Sequence, residues 1–196
     1  LYGQRPNTKK VTFKYIQPPE FPLPSNIKTY HSRVNNYSTR VTTLDNIMPE
    51  SIISIDGYKK ASFLSDADLE VKFSINNASS INYVQKVNYK EKINDSTDVD
   101  RVGGIYIVES TINISTFIKD VLNDRILSSK DGINRSQKFT SPRYNTYAAA
   151  VSARKANALS DATRTYHALY STSISSFISS INSDFGYPVK KTSQPI

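Results

Sequence analysis

The spacing of apolar and polar residues changes period several times along this chain, and each change predicts an element. Residues 9–16, "KKVTFKYI", alternate: Val11, Phe13 and Tyr15 fall on one side and Thr12 and Lys14 on the other, the period of a half-buried strand. The next stretch, "PPEFPLP" (18–24), forbids a regular element. Its prolines fix φ and remove backbone donors, so an extended polyproline-like arm is predicted, with Phe21 and Leu23 placed to lie against another surface. Beyond the arm, Ser25 or Asn26 can cap a short helix on which Ile27, Tyr30, His31, Val34 and Tyr37 share a face.

The stretch 58–82 has two periods at once. "LEVKFSI" (69–75) alternates like a strand, while Leu64, Ala67, Val71, Ile75, Ala78 and Ile81 recur at helical steps. A second segment resolves the choice towards helix. Residues 147–182 are Ala-rich and Gly-free, and Leu159, Ala162, Tyr166, Tyr170, Ile174, Phe177 and Ile181 form a helical stripe there. The two segments also echo each other. "KASFLSDA" (60–67) and "KANALSDA" (155–162) share six of eight letters at a separation of 95 residues, and each stripe closes on "SSIN" (79–82 and 179–182). An internal duplication into two helical halves is therefore expected.

Between the copies, Gly103 and Gly104 precede "IYIVESTINI", a strand rich in β-branched residues. Ser115 or Thr116 can then cap a helix carrying Phe117, Ile118, Val121, Leu122, Ile126 and Leu127. The polar, basic stretch 128–145, with Pro142, reads as a connector. The fold predicted from these patterns is mainly α, with a few short strands, long extended arms, two pseudo-repeated helical halves and little regular core. Its divisions are a basic strand, Pro arm and short helix over 1–50, a first helical half with strand over 51–127, the connector over 128–145, and a second helical half with tail over 146–196.

Composition sharpens this picture. Only 38% of the 196 residues are hydrophobic, so the expected core is thin for the chain's length and a partner surface is expected to help hold its shape. The formal charge is +8, and it is uneven. Residues 1–50 hold seven Lys or Arg against three Asp or Glu, whereas 51–100 hold six against eight. Basic ends imply an anionic partner, which could be nucleic acid, an acidic protein or a membrane surface. No run approaches the roughly 18 apolar residues of a membrane-spanning helix, and no stretch reads as a secretory signal.

Conventional catalysis finds little support. Cysteine is absent, which removes disulfides, thiolate nucleophiles, thiolate zinc sites and thioether-linked cofactors. His31 and His167 each sit on or beside an apolar stripe, and neither a G-x-S-x-G nor a G-x-G-x-x-G pattern is present. "DVDRVGGIYIVE" (98–109) places Asp98, Asp100, Gly103 and Glu109 at calcium-loop positions, but Val102 stands where a side-chain oxygen is needed. A Gly-Gly turn into a strand accounts for the same letters, and no metal site is predicted.

What the chain has in quantity is basic and aromatic residues side by side. Arg5, Lys9, Lys10, Lys28, Arg33, Arg40, Arg135, Arg143, Arg154 and Lys155, together with Tyr30, Tyr37, Tyr144 and Tyr147, are the candidate partner-binding residues. Arginine and tyrosine bury well at interfaces, and the same pairing stacks on bases and neutralises phosphates.

The opening "KKVTFKYIQPP" followed by "IKTYHSRVNNYSTRVTTLDN" resembles the small core-linker domain of phycobilisome linker polypeptides, through Ile27, Lys28, Thr29, Asn35, Tyr37, Thr39 and Arg40. The halved organisation is similar to that of the γ-type rod linkers of red algae. The resemblance implies a non-enzymatic linker that fills the central cavity of acidic phycobiliprotein α/β hexamers, joins them and other linkers into rods, and tunes energy transfer. It implies a place on the stromal face of the thylakoid membrane in a chloroplast, with no nucleic acid bound. Unlike γ linkers this chain has no cysteine, so no bilin is attached covalently. Contact with the partners' bilins would be non-covalent, with Tyr30, Tyr37, Arg40, Tyr144, Tyr147 and Tyr166 as candidates. The rival reading is a basic, peripheral RNA-binding protein of an organellar ribosome.

Overall fold

The computed structural model describes residues 10–38, 52–94 and 97–195, with the side chains of 193–195 left aside. The fold is mainly β, with 52% of the chain in strands and 25% helical, which overturns the expected mainly α fold. The strands are β1 (Lys10–Ile16), β2 (Thr29–Asn36), β3 (Lys59–Lys60), β4 (Leu69–Asn94), β5 (Thr97–Asp120), β6 (Arg125–Thr140) and β7 (Val189–Pro195), and the helix α1 (Tyr147–Asp184) precedes β7. One sheet has the order β3-β2-β4-β5-β6, and β1 pairs antiparallel with β7 in a second sheet.

Two strands dominate. β4 and β5, 26 and 24 residues long, form one antiparallel hairpin that runs from Leu69 opposite Asp120 to Asn94 opposite Thr97. Along the first part of this hairpin, period-2 alternation prevails: Leu69, Val71, Phe73 and Ile75 are buried, as are Ile112, Ile114 and Ile118 opposite. These side chains face α1, whose buried stripe includes Ala162, Tyr166, Leu169, Tyr170, Ile174 and Ile181. Phe73 lies edge-on to Tyr170 at 5.9 Å between ring centroids and packs against Phe177 at 5.7 Å. Each such large apolar side chain contributes on the order of 1.5–3 kcal/mol by leaving water.

The helix itself follows its sequence. Thr146 caps it, its side chain accepting from the backbone N–H of Ala149 at 3.1 Å. At the other end the Pro arm completes it. The backbone N–H groups of Glu20 and Phe21 donate to the carbonyls of Ser183 (3.0 Å) and Asp184 (2.7 Å), two of the carbonyls a helix C-terminus leaves without an internal partner. The predicted extended arm thus rests on the end of α1.

Three predicted helices are strands instead. The stretch from Ile27 to Tyr37 contains β2 (Thr29–Asn36), which runs parallel to β4 from Tyr30 opposite Leu69 to Asn36 opposite Ile75. Asp68 secures its start, accepting from the N–H groups of Lys28 and Thr29 at 2.7 and 2.9 Å and from the Thr29 hydroxyl at 2.9 Å. Those donors hold the Asp68 carboxyl below its usual range. The segment 58–82 breaks into β3, a short 3-10 turn at Leu64–Asp66, and the start of β4. The helix expected after Ser115 is the end of β5, a turn and the start of β6. Asp120 closes that turn by accepting from the backbone N–H and side-chain amide of Asn123, and Asp124 takes a positive φ of 51°. The connector 128–145 is mostly strand as well, lying in β6 up to Thr140.

The echo has no structural counterpart. "KASFLSDA" spans the end of β3 and the 3-10 turn while "KANALSDA" lies inside α1, and "SSIN" is strand at 79–82 and helix at 179–182. Instead of two repeated halves there is one layered body, closed by β1 against β7.

Candidate interaction surface at the root of the ribbon

The long hairpin outgrows its neighbours. β2 accompanies β4 only as far as Ile75, and β6 accompanies β5 only from Ile107 onward. Among the described residues, β4 and β5 pair only with each other from Gln85 opposite Ile105 to the turn, apart from one bridge between Gly104 and Tyr144. At about 3.3 Å per residue this ribbon is roughly 30 Å long. Its faces differ. Val87, Tyr89, Val99 and Ile105 alternate onto one, together with Gln85 and the Glu91–Arg101 ion pair, while Lys86, Lys90 and Lys92 alternate onto the other with Asp98, Asp100 and Val102 from β5. Lys90 stands opposite Asp100 and Lys92 opposite Asp98, so the charges complement across the strands.

Two glycines determine what sits at the ribbon's root. A Cβ on Gly103 would lie 2.3 Å from the backbone oxygen of Tyr144, and one on Gly104 would lie 2.7 Å from the Cβ of Ala150. Without side chains there, the loop 141–146 wraps round the edge of β5 and the first turns of α1 close over it. Tyr144 and Gly104 exchange backbone hydrogen bonds at 3.0 and 2.8 Å, and Ser141 pairs with Tyr106.

The wrap gathers basic and aromatic side chains into a collar. The Arg143 guanidinium lies 3.6 Å above the centroid of the Tyr89 ring, and the Lys86 ammonium lies 5.7 Å from that of Tyr147. Arg154 donates to the carbonyl of Asn82 at 3.5 Å. Tyr144 stacks on Tyr106 with ring centroids 6.3 Å apart. The first turn of α1, inside this collar, holds no acidic residue, so its positive end is not offset locally.

Beneath the collar, a buried polar chain joins the ribbon's root to the helix. The Tyr106 hydroxyl donates to Asp161 Oδ2 at 2.5 Å, and Arg164 donates to Oδ1 of the same carboxylate at 2.5 Å while lying over the Phe139 ring. Burial first, and then the bond to Asp161, push the Tyr106 hydroxyl up to about 12.

Of the residues singled out in the sequence, Arg143, Tyr144, Tyr147 and Arg154 meet in this collar. Arg5, Lys9 and Arg40 lie outside the described residues. Lys10, Lys28 and Lys155 are exposed at separate places, on β1, before β2 and on α1. Arg33 pairs with Glu70, and Tyr37 is exposed with the Lys72 ammonium 6.0 Å from its ring. Arg135 belongs to β6 and faces a cleft beside α1. Tyr30 is 3% exposed and its hydroxyl donates to the carbonyl of Ile53, which makes it a core residue. Tyr166 is likewise buried.

Lys86 and Tyr89 complete the collar and were not singled out in the sequence. Their signal was the alternation of "QKVNYK" opposite a Gly-Gly pair, legible only once the hairpin register is known. The calcium-like letters lie along extended β5, where Asp98 and Glu109 are 11 positions, or roughly 36 Å, apart and cannot enclose one ion. Among the described residues, no three His, Cys, Asp or Glu side chains are grouped to hold a metal.

No family model matches this chain. No curated protein matches it either. Among solved structures, it is similar to the putative neuraminyllactose-binding hemagglutinin homolog from Helicobacter pylori at 12% identity, over 76% of this chain and 84% of that one. The TM-score is 0.28, too low to carry fold or function across.

Proposed function

We propose that this chain is a non-enzymatic interaction protein, which holds an anionic macromolecule against the collar of Lys86, Arg143, Tyr147 and Arg154 and projects its ribbon beyond the point of contact. The observation that carries this reading is that three cations, the exposed Tyr147 ring, the half-buried Tyr89 ring and an uncompensated helix N-terminus surround the root of a narrow arm, with Lys86 and Tyr147 on one face of the ribbon and Arg143 and Tyr89 on the other. An arm attached to a docking surface suits a protein that links two bodies.

In the form the resemblance implies, the body docked is an acidic phycobiliprotein hexamer on the stromal face of the thylakoid. The ribbon, two strands wide, is then the part narrow enough for the central cavity, and its one tyrosine, Tyr89, is the group that reaches bilins. The N-terminal motif and the basic charge support this form. The two helical halves that also favoured it are not the fold. An RNA host would use the same arginines and rings for phosphates and bases.

Binding to an acidic phycobiliprotein hexamer and to a single-stranded RNA, each titrated against salt, tests the proposal. Saturable binding to the hexamer, weakened by Arg143→Gln with Lys86→Gln, is expected. Binding to RNA alone would refute the linker form, and binding to neither would refute the collar as a docking surface.

A further inference from the structure

A second, independent feature lies on the other flank of α1. Between β6 and the C-terminal half of the helix there is a cleft of about 130 Å³. Ile114, Ile118 and Ile181 form its apolar base, and Phe177 lines it from the helix. Its polar groups come from both walls, and a register irregularity arranges them.

In the pairing of β5 with β6, Ile114 stands opposite Ile133 and Thr116 opposite Lys130, so Asp131 and Gly132 together oppose Ser115 alone. This is a β-bulge. Gly132 takes a φ of +66°, and Asp131 accepts from the Gly132 N–H at 2.9 Å and from the Ser115 hydroxyl. The extra residue turns Asp131 to the outer face and leaves Lys130, Ile133 and Arg135 all towards the helix.

Lys130 and Arg135 therefore reach the same cleft from either side of Ile133, facing Ser173 and Ser176 on α1. Among the described residues neither cation has an ion pair or a hydrogen bond. The hydroxyls of Thr116 and Ser173, on residues 8% and 4% exposed, are likewise without partners there. Asp184, the lining's one carboxylate, accepts from Ser180 at the end of the helix. Two unpaired cations over unpaired hydroxyls and an apolar base are complementary to an oxyanion attached to a small apolar group.

We propose that this cleft is a binding site for a small organic anion, a phosphate monoester with a small apolar group. Its charged group is held by Lys130 and Arg135 and its apolar part rests on Ile114 and Phe177. The site does not depend on the collar or on the macromolecule proposed to dock there. Guarding an edge strand would also account for a lysine and a bulge on β6, but that role gives no saturable ligand binding.

Titration of the whole chain with phenyl phosphate and with inorganic phosphate, followed by NMR shifts of residues 128–135 and 173–181, separates the two. Saturable binding is expected, tighter for phenyl phosphate, and weakened about tenfold or more by Arg135→Gln and by Lys130→Gln. Both residues are exposed, so these variants keep the fold, which circular dichroism would verify. Ser173→Ala is expected to weaken phenyl phosphate several-fold. Absence of saturable binding by either probe, or affinity unchanged in the Lys130→Gln/Arg135→Gln double variant, would overturn the site.

Discussion

The same two strands serve two different ends along their length. Near Leu69 and Asp120, β4 and β5 are flanked by β2 and β6 and covered by α1, and their inward side chains are all but inaccessible. Beyond Gln85 and Ile105 they stand alone, with Ile93 and Val102 more than half exposed. Alternation continues into the ribbon, where Val87, Tyr89, Val99 and Ile105 share one face, interrupted by Gln85, Glu91 and Arg101. What differs is whether a third element covers the apolar face, so amphipathicity in a strand specifies a face to be covered and not what covers it.

Substitutions should accordingly cost most at the covered end and least in the ribbon. Phe73→Ala, beneath Tyr170 and Phe177, is expected to lower unfolding stability by about 3–5 kcal/mol in urea titration. A loss under about 1 kcal/mol would mean the helix does not seal that face. At the junction, Gly103→Ala forces a Cβ against the Tyr144 carbonyl and is expected to cost about 1–3 kcal/mol. It should also speed hydrogen exchange in the loop 141–146. A neutral outcome there would separate the ribbon from the collar.

The buried Tyr106 adds a pH signature to the junction. Its hydroxyl is raised from 10 to about 12 in the folded chain, so folding keeps the proton on. That contribution is complete below pH 10 and is lost as the pH climbs towards 12. Tyr106→Phe should flatten stability across this window, as thermal melts at stepped pH would show. The smallest effect is expected in the ribbon, where Val102→Thr should change stability by no more than about 0.5 kcal/mol. A larger loss would show that the ribbon is covered there after all.

Legibility in the sequence followed the range of the interactions. β1 and α1 are predicted almost to the residue, because alternation over 9–16 and a Gly-free helical stripe over 147–182 are local signals. β2 and the start of β4 were expected to be helical because Ile27, Tyr30 and Val34, or Val71, Ile75 and Ala78, also satisfy a helical period. Their strand form comes from pairing across some forty residues and from the Asp68 clamp, neither of which a local window contains. The echoed octapeptides carry the same point, since nearly identical letters are turn in one place and helix in the other. In the collar, Arg143, Tyr144, Tyr147 and Arg154 were legible as residue types. Their meeting with Lys86 and Tyr89 was not, because it depends on Gly103 and Gly104 making room for a loop about forty residues downstream.

The closing pair β1 and β7 has a mechanical corollary. Lys10 lies opposite Pro195 and Ile16 opposite Val189, so the outermost rungs of this small ladder are also the nearest to the two chain ends. Tension applied between those ends would part the rungs singly, in peeling and not in shear, and would do so before any load reached the layered body.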